Sequence, residues 1–75
     1  MTVVPELSYR RIVIALSKAG FLPAGQKGSH IKLEKRALGK KIILIIPAHI
    51  PVKRATLAKI IKASGLSVDE FNRLV

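Results

Sequence analysis

Residues 26–33 read QKGSHIKL. His30 follows a glycine and a serine, and lysines stand on either side at positions 27 and 32. Imidazole, with an ordinary pKa of about 6.5, is the side chain suited to giving and taking a proton near neutral pH. Lys27 and Lys32 would supply fixed positive charge for a developing phosphorane. The Gly28-Ser29 turn could bring backbone N–H groups close to phosphate oxygens. These residue types in this order suit chemistry on a phosphate. The spacing fits an ordinary solvated strand histidine equally well, and at this level both readings stand. His49, between Pro47 and Pro51, reads as a loop residue with at most a place in a substrate loop.

Other catalytic classes fit poorly. Two-metal hydrolysis needs several convergent carboxylates, and the acids are Glu6, Glu34, Asp69 and Glu70. Asp69 and Glu70 are expected at the start of a terminal helix, and the other two are far apart in sequence. No cysteine is present and no histidine pair has ligand spacing, so neither a metal nor another cofactor is expected. No acid is placed to orient a histidine in a Ser-His-Asp arrangement. RNA relaxes these demands, because its 2′-hydroxyl is a nucleophile already beside the scissile phosphate. Cleavage then needs a proton-transfer group, cations and alignment.

Charge points to the same class of partner. The chain has 14 Lys and Arg against 4 Asp and Glu, a formal net charge of +10. Between Leu7 and Val68 the only acid is Glu34. Such a surplus attracts polyanions, nucleic acid before an anionic membrane or an acidic protein. A basic but inert surface is the plainer alternative. The 75 residues make a single domain, 1–75, with a small aliphatic core. The longest apolar run, Ile42 to Ile46, is far short of the roughly 20 residues that span a bilayer. With no cysteine and no signal-peptide pattern, the expectation is a soluble cytoplasmic protein without a membrane partner.

The elements that must position His30 follow from periodicity. Met1 to Glu6 reads as an extended lead-in, because Pro5 disfavours helix before it. A helix is expected over 8–19, capped by the Ser8 side chain, with Tyr9, Ile12, Val13 and Leu16 inward and a Schellman ending at Gly20 and Phe21. FLPAGQKG suits an irregular edge strand. HIKLEK alternates, with Ile31 and Leu33 on one side and His30, Lys32 and Glu34 on the other. After a turn around Gly39, KIILIIP reads as a third strand, apolar on both faces. Pro47 to Lys53 should be a loop. A second helix runs from Arg54 or Ala55 to Ser64, with Leu57, Ile60 and Ile61 inward, ended by Gly65 as Gly20 ends the first. Ser67 and Glu70 form a capping box for a last short helix anchored by Leu66, Phe71 and Leu74. The fold class is α+β in two layers, with helices on one sheet face and His30 and Lys32 on the open face.

KGSH after the first helix, the strand ending IP.H, and TLAKIIKASGLSVDEF together resemble the HicA family of toxins from toxin–antitoxin modules. The likeness covers nearly the whole chain. It implies a double-stranded-RNA-binding-like fold, α-β-β-β-α with a three-stranded antiparallel sheet packed on two helices, plus a short C-terminal helix here. It also implies the toxin of a type II toxin–antitoxin system, a metal-independent endoribonuclease that cleaves mRNA and is neutralised by a HicB-type antitoxin. The family's catalytic histidine falls on His30, with Lys27, Gly28, Ser29 and Lys32 as RNA-binding neighbours. Two rival readings stand beside it. A non-catalytic RNA-binding module would use the same basic face. A helix-turn-helix over 56–75 would present Val68, Asp69 and Glu70 to DNA, and two acids are repelled by a phosphate-lined groove.

Overall fold

The computed structural model describes residues 3–75. Met1 and Thr2, the start of the expected lead-in, lie outside the described residues. The order is α1 (Tyr9–Lys18), β1 (Leu22–Lys27), β2 (His30–Ala37), β3 (Lys40–Pro47), α2 (Arg54–Ser64) and α3 (Val68–Leu74). The strands form one antiparallel sheet in the order β1-β2-β3. The α+β, α-β-β-β-α arrangement with a C-terminal helix is therefore the one expected.

Side-chain alternation sets the register. Leu33 stands opposite Leu44 and Ile31 opposite Ile46, all on the helix side, where Leu33, Leu44 and Ile46 are buried. Ile12 and Leu16 of α1, Leu57 and Ile61 of α2, and Phe71 of α3 complete the core with Phe21 and Val52. Each fully buried Leu, Ile or Phe is worth about 1.5–3 kcal/mol. Slipping β2 by one residue would expose Leu33 and bury Lys32 and Glu34, so the core fixes which face His30 occupies. The helices α1 and α2 contact β3, and α3 packs on both helices.

The helix ends follow local chemistry, with two differences from expectation. The Ser8 hydroxyl makes no capping bond, and the Tyr9 N–H at the helix start donates to the His49 carbonyl at 3.2 Å. The orphan donor thus finds a partner in a distant loop, which local sequence does not reveal. At the other end, the Phe21 N–H reaches the Leu16 carbonyl and the Gly20 N–H the Ser17 carbonyl, the Schellman pattern. Gly65 is left-handed as expected, but the Leu66 N–H donates to the Ser64 hydroxyl rather than to a helix carbonyl. The Ser67–Glu70 capping box forms in both directions at 3.0 Å. Pro47 proves to be the last residue of β3, paired with His30, rather than the first of the loop.

The apolar second face of β3 stays uncovered by the described lead-in, with Ile43 and Ile45 about half exposed. The lead-in runs over the helices instead. The Asn72 side chain donates to the Val3 carbonyl, Arg54 donates to the Val4 carbonyl, and Leu7 bridges Val52.

Both hairpins close through two residues, in different ways. Gly28 and Ser29 join β1 to β2, with only Gly28 at positive φ (59°), as a type II′ turn requires. Leu38 and Gly39 join β2 to β3 with φ of 54° and 74°, a type I′ turn. Leucine in the left-handed region costs about 1–2 kcal/mol.

Candidate functional site

Antiparallel pairing arranges the open face in rows. Lys27, His30 and Pro47 are neighbours across the three strands in the first row, and Gly25, Lys32 and Ile45 in the next. Same-face residues two apart on a strand are separated by roughly 7 Å. His30 and Lys32 therefore stand side by side above the sheet, close enough to address one phosphodiester and its neighbour.

Lys27, Gly28, Ser29, His30 and Lys32 line a single open depression at this end of the sheet. All five residues singled out from the sequence are thus brought together. Gly25, Gln26 and Ile45 also line it, beyond the residues that the sequence pattern points to. Ile45 was readable, since alternation along β3 already turned it to the open face. Gly25 was not: it faces Lys32 because β1 bulges between Pro23 and Gly25, shifting the register by one residue.

The turn that carries His30 is held at both ends. Lys27 and His30 pair across it, and the Ala48 N–H donates to the Ser29 carbonyl at 2.6 Å. The Gln26 side-chain amide donates to the Gly28 carbonyl at 3.2 Å. The N–H groups of Gly28 and Ser29 make no hydrogen bond among the described residues, so both are free to donate to an anion. His49 does not line the depression; its carbonyl fixes the first turn of α1.

Glu34 lies further along the same face, bound by Lys41 at 2.8 Å and Lys32 at 3.7 Å. The hydrogen bond from Lys41 holds its carboxyl below the usual carboxylate range, with the charges of Lys41 and Lys32 adding to the effect. The lone acid of this face is thus neutralised, and its positive sign is preserved. Among the described residues no three His, Cys, Asp or Glu side chains gather as metal ligands. No helix there is long and apolar enough to cross a membrane. The helix-turn-helix reading meets a seven-residue α3 with Asp69 and Glu70 exposed in its first turn.

The arrangement offers one proton-transfer group, two lysines and two backbone donors on a positively charged surface. That set can grip a phosphodiester and move a proton beside it. The family model described as HicA toxin of bacterial toxin–antitoxin systems matches residues 9–66. No curated protein matches the chain.

Proposed function

The chain belongs to the HicA toxin family, and from that premise we propose that it is a metal-independent endoribonuclease that cleaves mRNA through His30. The observation that carries this reading is the convergence of His30 with Lys27, Lys32 and the Gly28-Ser29 turn in one depression on the uncovered sheet face. In the proposed reaction the RNA 2′-oxygen attacks the adjacent phosphorus while His30 takes its proton. The bond to the 5′-oxygen breaks as that oxygen takes a proton from water, leaving a 2′,3′-cyclic phosphate and a 5′-hydroxyl. Lys27, Lys32 and the free turn N–H groups hold the phosphate oxygens, where charge accumulates in the transition state. The partner that silences the activity is a HicB-type antitoxin.

The test incubates wild-type and His30→Ala protein with a defined RNA in excess EDTA. Wild type should cleave, and the variant should lose about 10²–10⁴-fold in rate while its melting temperature holds. Undiminished cleavage by the variant refutes the catalytic role. If neither protein cleaves but both bind, the chain is an RNA-binding module. Loss of wild-type cleavage in EDTA that Mg²⁺ restores would refute metal independence.

A further inference from the structure

We propose that the tip of the β2–β3 hairpin is a second RNA contact, in which Leu38 wedges against bases while Arg36 and Lys40 hold neighbouring phosphates. The proposal rests on the reading of the chain as an RNA-cleaving toxin. Its first observation is Leu38 itself, fully exposed (100%) and in the left-handed region at φ 54°. A type I′ turn is best served by Asn or Gly at that position. Leucine there strains the backbone and buries nothing, so the fold gains nothing from it. Strain of this kind is a pointer to contact with something outside the chain.

Charge identifies that contact as a polyanion. Arg36, Lys40 and Lys41 surround the tip, and Lys41 is occupied by Glu34. The side chains of Arg36 and Lys40 make no hydrogen bond or ion pair among the described residues. Arg36 and Lys41 are cross-strand partners on the face that carries His30 and Lys32. Arg36 therefore continues the row that begins at the depression, while Lys40, paired with Ala37, stands on the other face of the tip, so the two cations flank Leu38 from opposite sides. An apolar side chain between phosphate-binding cations is how proteins wedge between bases. A bilayer surface would need a wider apolar area than one leucine, so nucleic acid fits better.

Distance makes the proposal quantitative. Arg36 is six residues along β2 from His30, or about 20 Å. A stacked strand at 3.4 Å per nucleotide covers that span in about six nucleotides. A stacked RNA shorter than this, held at His30, stops short of the tip and can bridge the two only by giving up its stacking.

The test uses the His30→Ala protein, so that RNA survives the measurement. Binding of labelled single-stranded RNAs of about four and about twelve nucleotides, below and above that span, is read by fluorescence anisotropy. Leu38→Asn should weaken binding of the longer RNA by about fivefold or more and of the shorter RNA by much less. Adding Arg36→Ala should weaken it again and lower the salt slope by about one. Leu38→Gly should behave like Leu38→Asn, and both should melt no lower than the parent, which separates lost contact from lost fold. Equal affinity of parent and variant for the longer RNA overturns the proposal, as does an equal loss on both lengths. Leu38-dependent binding to phosphatidylglycerol vesicles without Leu38-dependent RNA binding overturns it in favour of a membrane. If wild type cleaves RNA but Leu38 has no effect, only the tip contact fails; if no RNA is bound or cleaved, the function reading fails with it.

Discussion

The two ends of β2 carry turns of equal length and opposite character. At the Gly28-Ser29 end a glycine takes the left-handed position, so the chain bends without strain and two backbone N–H groups are left free. A bond from Ala48, distant in sequence, and a local one from the Gln26 side chain brace that bend. At the Leu38-Gly39 end a leucine takes the left-handed position and stands fully in solvent. On the proposed function the first turn holds the reactive group still, and on the proposed tip contact the second accepts strain to present a side chain. Taken together, the two proposals give one strand a chemical end and a gripping end.

The sharpest way to break this comparison is to exchange the losses. His30→Ala should remove cleavage by two to four orders of magnitude, whereas Leu38→Asn should leave a cleaving enzyme with weaker hold on long RNA. A Leu38 variant as inactive as His30→Ala would show that the two ends do not divide their work. Stability should move in opposite directions. Gly28→Ala meets no atom within 4 Å, so its cost is the backbone alone, about 1–2 kcal/mol, read as a lower melting temperature. Leu38→Gly should cost nothing or raise the melting temperature, by relieving the same penalty.

Salt gives the next effect. RNA affinity should fall linearly on a log–log plot, because phosphate contacts release counterions. Lys32→Ala and Arg36→Ala should each lower the slope by about one if both ends of β2 contact phosphates. A slope unchanged by Arg36→Ala would confine binding to the His30 end.

The smallest effect concerns acid. Lys41 and Lys32 hold the Glu34 carboxyl below its ordinary value of 4.5, and the Ser67 backbone and hydroxyl do the same for Glu70. A folded pKa below the unfolded one means stability that is present above the unfolded value and lost as pH falls through the folded one. Unfolding followed from pH 6 downward should show a modest loss beginning at about pH 4.5. Glu34→Gln should flatten part of that loss, and it should tighten RNA binding by freeing Lys41 and Lys32. Weaker RNA binding by that variant would show that Glu34 serves the ligand by holding the lysines in place.

Much of this was legible in the sequence because it depends on short-range pattern. Alternation placed His30 and Lys32 opposite Ile31 and Leu33, and the aliphatic core makes any other register costly. The Ser67–Glu70 box lies within four residues, and it forms as read. What escaped depends on partners distant in the chain. The Tyr9 N–H finds its acceptor at the His49 carbonyl, in a loop to which the local sequence does not point, and the Ser8 hydroxyl makes no cap. The bulge that turns Gly25 toward Lys32 follows from how β1 meets β2, and the alternation of β1 alone does not record it. The turn around Gly39 was expected, but the strain at Leu38 was not, because only the two-residue geometry puts a non-glycine residue at positive φ.

The crossing of the lead-in over the helices has a practical consequence for engineering. Val3 and Asn72 are joined by a 3.1 Å hydrogen bond, so the two ends of the described chain meet on the helical layer, behind the sheet. A short peptide joining those ends would close the chain into a ring without crossing the face that carries His30. Reopening the ring at Leu38-Gly39 would yield a circular permutant with new termini at the hairpin tip. Such a molecule keeps the Gly28-Ser29 bend intact and severs only the strained one. It would make the two ends of β2 separable as modules.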